Sequence, residues 1–153
     1  MDGLFSSPQF HAYAKYGTIA ILKMMILGPL TATTRRLKGF YSSNPEDYKA
    51  FSNLSSHEIS AHLTKRDPYI ERIRRCHRND LENIIPFITF GFLYVSVANP
   101  SLEACLWRFR VFLAARILHT VCYLVPLPQP SRLLAFAVGW IATVSMGWAI
   151  LTS

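Results

Sequence analysis

The sequence predicts an all-α integral membrane protein, a four-helix transmembrane bundle formed by one domain over residues 1–153. Hydrophobic residues make up 51% of the chain and charged residues only 16%, well below the roughly one quarter that is usual in soluble domains. Four apolar segments are also long enough to cross a hydrocarbon core about 30 Å thick. So short a soluble chain could not bury four such segments. The net charge of +7 alone would also fit a nucleic-acid binder, but the segment lengths weigh against nucleic acid as a partner.

The first predicted span covers residues 16–34 and is interrupted by a single charge, Lys23. This lysine lies too deep for an ordinary interfacial anchor. We therefore expect it either to extend toward the interface or to pair with a carboxylate of another helix. Residues 35–67 are polar and show no sustained apolar period. They are predicted to form a cytosolic loop that contains at most a short helical turn.

The other three spans follow with short connections. The second, residues 68–97, begins with a proline, which suits the first turn of a helix. A turn at residues 99–101 separates it from the third span, residues 102–124. Residues 125–131 contain three prolines and are predicted to be a stiff connector. The fourth and least polar span covers residues 133–151.

The distribution of basic residues predicts the orientation. The segment from Arg35 to Arg78 carries ten Lys or Arg residues, whereas the opposite side has little more than Lys15. By the positive-inside rule, the basic segment faces the cytosol and both termini face the lumen or the exterior. Asn53 begins a glycosylation sequon, and this orientation predicts that it stays unmodified.

The start of the second span is the most polar stretch that leads directly into an apolar segment. Four of its side chains fall at i, i+3, i+4 and i+7 and share one helix face: Arg75, Arg78, Asn79 and Glu82. Arginine binds carboxylates through a planar fork, and glutamate can hold an ammonium group, so this face suits a small zwitterion. Two alternatives stay open: the arginines could only anchor the helix at headgroups, and the amide and carboxylate could only hold the bundle together.

The third span also carries unusual polarity. Arg116, His119 and Tyr123 repeat at i, i+3 and i+7, so they are predicted to share a face that turns to the bundle interior. Ionisable residues inside a membrane are candidates for function. The alternative is that Arg116 only bridges to Glu82 or Asp80 as a structural link. The sequence indicates no role for two further arginines of this span, Arg108 and Arg110.

Several kinds of chemistry are disfavoured. The cysteines Cys76, Cys105 and Cys122 have no metal-type spacing, and no disulfide framework or zinc site follows from them. No glycine-rich nucleotide motif, HExxH or GxSxG sequence appears. We expect neither a metal nor a bound nucleotide.

Four blocks carry a resemblance to a known family. They are Asn44-Pro45-Glu46-Asp47, residues 71–87, residues 115–124 and residues 126–132. With these blocks in this order, the chain resembles the membrane-associated eicosanoid and glutathione metabolism (MAPEG) family over almost its whole length. Among its branches, the resemblance favours the glutathione transferases. A single block would be weak, but four at matching spacing are specific.

The resemblance implies a homotrimer with a glutathione site at each subunit interface, near the cytosolic face. Glutathione would be a co-substrate. The neighbouring protomer would contribute an arginine after the first span, Arg36 or alternatively Arg35. The positions that match the family's glutathione contacts, or lie beside them, are Arg74, Arg75, His77, Arg78, Asn79, Glu82, Arg116, His119 and Tyr123.

The resemblance also assigns a catalytic role to Arg132, which matches the family arginine placed beside the glutathione sulfur. A fixed cation lowers the pKa of a thiol and stabilises the reactive thiolate. The implied reactions are conjugation of glutathione to hydrophobic electrophiles and glutathione-dependent reduction of lipid hydroperoxides. The implied location is the endoplasmic reticulum membrane, with the mitochondrial outer membrane as a second site, and membrane lipid surrounds the protein.

Two departures bear on the alternatives. The family's prostaglandin E synthase has a serine after the catalytic arginine, where this chain has Leu133, and this weighs against prostaglandin E or leukotriene C synthesis. Some family transferases have a reactive cysteine where this chain has Tyr48, so activation by thiol modification is not expected there. The remaining alternative is a non-catalytic lipid-binding scaffold like the lipoxygenase-activating branch, which would not need the glutathione-binding residues.

Overall fold

The computed structural model describes residues 2–39, 44, 46, 53–64 and 67–153, and in these ranges every regular element is a helix. The prediction of an all-helical chain is confirmed. Pro45, Asp47 and Tyr48 lie outside the described residues. The helices are α1 (Asp2–Phe5), α2 (Pro8–Leu37), α3 (Ser56–Thr64), α4 (Pro68–Val97), α5 (Leu102–Leu124) and α6 (Gln129–Leu151).

Side-chain caps determine where three of the long helices begin. The hydroxyls of Ser7 and Ser101 each accept a hydrogen bond of 3.2 Å from the backbone N–H three residues later. The Asp67 carboxylate accepts from the N–H groups two and three residues later, at 2.9 and 3.0 Å. Each cap satisfies a backbone donor that the first turn of a helix leaves unpaired. The sequence therefore fixes the starts of α2, α4 and α5 locally.

Asp67 also links the end of α2 to the start of α4. The Nζ atom of Lys38 donates to both carboxylate oxygens of Asp67, at 2.9 and 2.8 Å. This contact, together with the backbone N–H bonds at the cap, lowers the pKa of Asp67 below its usual value. The link holds the two helix ends that flank the predicted loop close together.

The four long helices pack against one another. α2 contacts α4 and α5, α6 contacts α4 and α5, and α4 also contacts α5. Aromatic rings fill much of the interior: the rings of Phe87 and Phe112 stack with centroids 3.8 Å apart, and Phe109 meets Phe87 edge-on at 5.8 Å. All three side chains are fully buried. This interior fixes how α5 and its polar residues sit against α4.

Two glycines allow α2 and α4 to pack closely. A Cβ atom on Gly17 would lie 2.9 Å from the Cδ1 atom of Ile88. A Cβ atom on Gly91 would lie 3.1 Å from the ring of Tyr13. A larger residue at either position would have to displace the side chain of Ile88 or Tyr13. The close crossing brings Lys23 of α2 within reach of α4.

Three of the long helices, α2, α4 and α6, are long and apolar enough to cross a membrane. The third predicted span forms α5. This helix has too many charged residues to be counted, by composition alone, among the helices apolar enough to cross a membrane. Those residues are Glu103, Arg108, Arg110 and Arg116. Many large apolar side chains, such as Ile26, Trp107 and Leu134, are exposed on the outer surface of the chain, as is expected of a surface that faces lipid.

The helix bounds differ from the predicted spans at three places. α2 covers Pro8–Leu37 and so extends beyond the predicted span of residues 16–34 at both ends. The nine-residue α3 lies inside the segment predicted as a loop, and it begins with a capping box in which the Ser55 N–H and hydroxyl both bond to Glu58. α6 begins at Gln129, not at residue 133. Pro130 therefore belongs to the first turn of a helix, where a missing N–H costs nothing, and Arg132 is helical.

Candidate functional site

A buried carboxylate, Asp80 of α4, lies at the centre of a group of charged side chains. Its side chain is fully buried. Lys23 of α2 donates to Asp80 Oδ2 at 2.5 Å. Arg116 of α5 donates to Asp80 Oδ1 through Nη2 at 2.5 Å and through Nε at 3.2 Å. One carboxylate thus joins three helices.

Asn79 completes the contacts of this arginine. Its Oδ1 atom accepts from Arg116 Nη2 at 2.8 Å, and its backbone carbonyl accepts from the Asn83 side chain at 2.7 Å. The Nη1 atom of Arg116 is buried and has no hydrogen-bond partner among the described residues. The guanidinium is therefore held through Nε and Nη2. Its third nitrogen, Nη1, has no acceptor among the described residues.

A second group of side chains continues along α5 to the start of α6. The rings of His119 and Tyr123 lie 5.0 Å apart. The guanidinium carbon of Arg132 lies 5.1 Å from the centre of the Tyr123 ring, and its Nη2 atom donates to Gln129 at 2.7 Å. The Nδ1 atom of His119 and the Nε atom of Arg132 are buried and lack a partner in the described ranges.

These observations place three buried, unpartnered polar nitrogens in one continuous row of side chains. Arg116, His119, Tyr123 and Arg132 follow each other from the middle of α5 to the first turn of α6. Burying polar atoms without partners is costly. A bound molecule with anionic or carbonyl oxygens would remove that cost. Arg132 also lies in the first turn of α6, where the helix dipole favours negative charge.

The other predicted site residues lie away from this row. Arg75, Arg78 and Glu82 are exposed on the outer side of α4, and Arg36 is exposed at the end of α2. Arg74 is also exposed and pairs with Glu71 at 2.6 Å. His77 is half-buried. Within a single chain, the structure joins Asn79 to Arg116 and joins His119 and Tyr123 to Arg132, while the arginine-rich face of α4 turns outward.

The sequence interpretation did not place Asp80 and Lys23 in the site. It left open two structural contacts, a pairing of Lys23 with a carboxylate and a bridge from Arg116 to Asp80, and the structure contains both. The signal available in the sequence was one lysine, Lys23, isolated among apolar residues, and one acid, Asp80, within the polar stretch at the start of the second span. Which helices are neighbours cannot be read from that signal.

The two arginines without a predicted role have partners elsewhere. Arg108 donates through Nε to the Ser145 hydroxyl at 3.1 Å and lies 5.1 Å from the ring of Tyr94. Arg110 donates to the Tyr16 hydroxyl at 2.9 Å. Both contacts join α5 to neighbouring helices. Among the residues that the structure describes, no three His, Cys, Asp or Glu side chains come together as a metal site.

Comparison with known proteins identifies the family of this chain. The model of the MAPEG family matches residues 13–152. The chain belongs to the MAPEG family. This is the family that the four sequence blocks predicted.

Two relatives in the MAPEG family carry the name microsomal glutathione S-transferase 1. The protein from Sus scrofa is 43% identical over 150 residues, which cover 98% of this chain and 94% of the relative. The protein from Rattus norvegicus is 46% identical over 142 residues, covering 93% and 88%. Prostaglandin E synthase from Homo sapiens is 34% identical over 149 residues, covering 97% and 91%. The higher identities confirm the predicted resemblance to the glutathione transferase branch.

Proposed function

We propose that this protein is a membrane-bound glutathione transferase that joins the glutathione sulfur to hydrophobic electrophiles. The observation that carries the proposal is the row of buried nitrogens without partners on Arg116, His119 and Arg132. Glutathione offers two carboxylates and two amide carbonyls as acceptors. The row also ends at a cation, Arg132, which is the kind of group a reactive thiolate requires. The full-length similarity to proteins named glutathione S-transferase supports the same chemistry.

Binding of glutathione would use side chains from two helices. Arg75 and Arg78 can each hold a carboxylate with a planar fork, and Glu82 can accept from the ammonium group. Asn79 would join the same surface, and it accepts a hydrogen bond from Arg116 of α5. Arg74 and His77 would lie beside this surface, and His119 and Tyr123 would extend it toward α6.

Arg132 would act on the sulfur itself. Its positive charge and the N-terminal dipole of α6 both favour the thiolate over the thiol, so the proton leaves to solvent at neutral pH. The thiolate then attacks the electrophilic carbon, a C–S bond forms, and a leaving group such as chloride departs with the electron pair. Fixing the thiolate beside a substrate that arrives through the bilayer supplies the remaining rate gain by proximity.

The same thiolate supports a second reaction. Attack on a lipid hydroperoxide would break the O–O bond and release the lipid alcohol. A second glutathione would then yield glutathione disulfide, and the net products are alcohol, water and disulfide. This peroxidase activity belongs to the proposal because it needs no further group in the protein.

The outward face of α4 favours assembly into a homotrimer of four-helix transmembrane protomers. Arg75, Arg78 and Glu82 are exposed on a helix that is long and apolar enough to cross a membrane. Charged groups facing lipid are costly, and a neighbouring copy would cover them. That copy would add its own Arg36, or Arg35, to the site. α5 would also cross the membrane, since Arg116 on this helix is turned fully inward.

We further propose an endoplasmic reticulum location, with the mitochondrial outer membrane as a second location, both termini lumenal and the site on the cytosolic side. This orientation predicts that Asn53 carries no glycan, although it is exposed and begins a sequon. The measurement is the mass shift on endoglycosidase treatment after expression in microsomes. An acceptor sequon added ahead of Met1 is the positive control and should be modified. Glycan on Asn53 would contradict the topology.

The function is tested with the detergent-purified full chain. We expect glutathione to bind and to be conjugated to 1-chloro-2,4-dinitrobenzene, followed by absorbance, and cumene hydroperoxide to be reduced in parallel. S-methylglutathione, which has no free thiol, is the matched control and should bind without turnover. Binding without either reaction would favour prostaglandin E or leukotriene C synthesis. If glutathione does not bind at all, the protein is a lipid-binding scaffold instead.

A further inference from the structure

The charges that meet at Asp80 do not balance. Lys23 and Arg116 bring two positive charges, and Asp80 brings one negative charge. The Arg116 and Asp80 side chains are fully buried, and 14% of the Lys23 side chain is exposed. Asn79, the other partner of Arg116, is neutral. The contacts of this group therefore leave one positive charge uncompensated among buried helices.

We propose that Lys23 and Asp80 are positioning residues for Arg116, and that their group, with its excess positive charge, holds a carboxylate of glutathione at the Nη1 edge of Arg116. The inference rests on the proposed function and extends it to two residues that do not touch the ligand. Lys23 supplies the charge, and Asp80 supplies the orientation.

The geometry supports the orienting role. Asp80 Oδ1 accepts from both Nε and Nη2 of Arg116, and Asn79 accepts from Nη2 as well. Because the guanidinium is planar and rigid, fixing these two nitrogens also fixes the direction of Nη1. Lys23 binds the other carboxylate oxygen of Asp80, so the carboxylate cannot rotate away. The Arg116 nitrogen that has no partner in the described ranges is Nη1, which lies on the side of the guanidinium opposite to the edge that binds Asp80.

The charge supports the choice of ligand. A buried group of ions with one excess positive charge binds an anion with a more favourable electrostatic energy than a neutral ion pair does. The reason is that the surrounding helices screen charge poorly. Arg132, at the other end of the polar row, adds to the positive potential. A carboxylate at Arg116 would complete a balanced group of two cations and two anions. Removing the charge of Lys23 should therefore weaken glutathione binding although this lysine lies on a different helix.

The test compares three variants of the full chain in detergent. Lys23→Gln removes the charge but keeps an N–H donor for Asp80, Lys23→Arg keeps the charge, and Lys15→Gln removes an exposed charge from the same helix. We expect Lys23→Gln to raise the Kd and the KM for glutathione about tenfold, with kcat at saturating glutathione within about twofold because Arg132 is untouched. Lys23→Arg and Lys15→Gln should stay within about twofold of wild type in all three constants.

The outcomes separate this inference from the proposed function. Suppose that the wild type conjugates glutathione and that Lys23→Gln binds glutathione with an unchanged Kd. This result would overturn the inference, because Lys23 would then be only a structural link, and it would leave the proposed transferase function intact. A Kd raised equally in Lys23→Arg would also overturn it, because charge would not be the cause. Wild type that fails to bind glutathione would refute both. Lys23→Met, which places an apolar side chain in the span, replaces the glutamine variant if the latter does not fold.

Discussion

Arg132→Ala should lower the rate of glutathione conjugation at saturating substrate by about a hundredfold or more, while the Kd for glutathione changes only severalfold. The reason is that Arg132 stands at the end of the binding row, where it would contact the sulfur, whereas the carboxylates would be held by other arginines. The substitution removes the charge that keeps the thiol ionised at neutral pH.

The measurement is a pH profile of kcat for conjugation, with glutathione affinity determined separately by calorimetry. In the variant, the remaining rate should rise with pH toward the ordinary pKa of a free thiol, about 8.5 or above. In wild type, the profile should level off at lower pH. Arg110→Ala is the matched control, because Arg110 is an exposed arginine of the same helix as Arg116 and donates to the Tyr16 hydroxyl at 2.9 Å. Equal turnover in wild type and Arg132→Ala would remove Arg132 from the mechanism.

Features that depend on local sequence could be predicted. The apolar lengths of the spans indicate long helices, and all four predicted spans lie within long helices of the described chain. Serine and aspartate caps at Ser7, Asp67 and Ser101 explain where these helices begin. The burial of Arg116 and His119 on one face of α5 also follows from their spacing.

Features that depend on neighbouring helices could not be predicted. The contact of Lys23 with Asp80 spans 57 positions in the sequence, and it depends on the packing of α2 against α4. Periodicity places Arg75 and Glu82 on one face but does not say which way that face turns. In the structure it turns outward, and the proposed trimer would cover it with another copy.

The proline-rich segment shows how a local signal can be misinterpreted. The three prolines between residues 125 and 131 predict a stiff connector, with the fourth span beginning at Leu133. However, a proline in the first turn has no N–H bond to lose, and α6 begins at Gln129 with Pro130 inside it. The difference matters for chemistry, because it moves Arg132 from a connector into the N-terminal turn of a helix.

Asp80→Asn should destabilise the protein by about 3–5 kcal/mol, the range expected when one partner of a buried ion pair is removed. The asparagine would keep the size of the side chain but would leave Lys23 and Arg116 buried without a carboxylate and close to each other. We expect a lower apparent melting temperature in detergent and a smaller fraction that elutes as folded protein. Adding Lys23→Met to Asp80→Asn should restore part of the loss, since only one uncompensated cation then remains.

Asp67→Asn is the matched control for this prediction. Asp67 also pairs with a lysine, Lys38, at 2.8 Å, but the pair lies at the protein surface, where such contacts contribute about 1 kcal/mol or less. Asparagine caps a helix about as well as aspartate does, so this variant should unfold close to wild type. If both variants lost similar stability, burial would not be what makes Asp80 costly to replace. If Asp80→Asn alone were severe and the double variant recovered, the cost would arise from the unbalanced charge, which is the same property by which Arg116 is proposed to bind an anionic ligand.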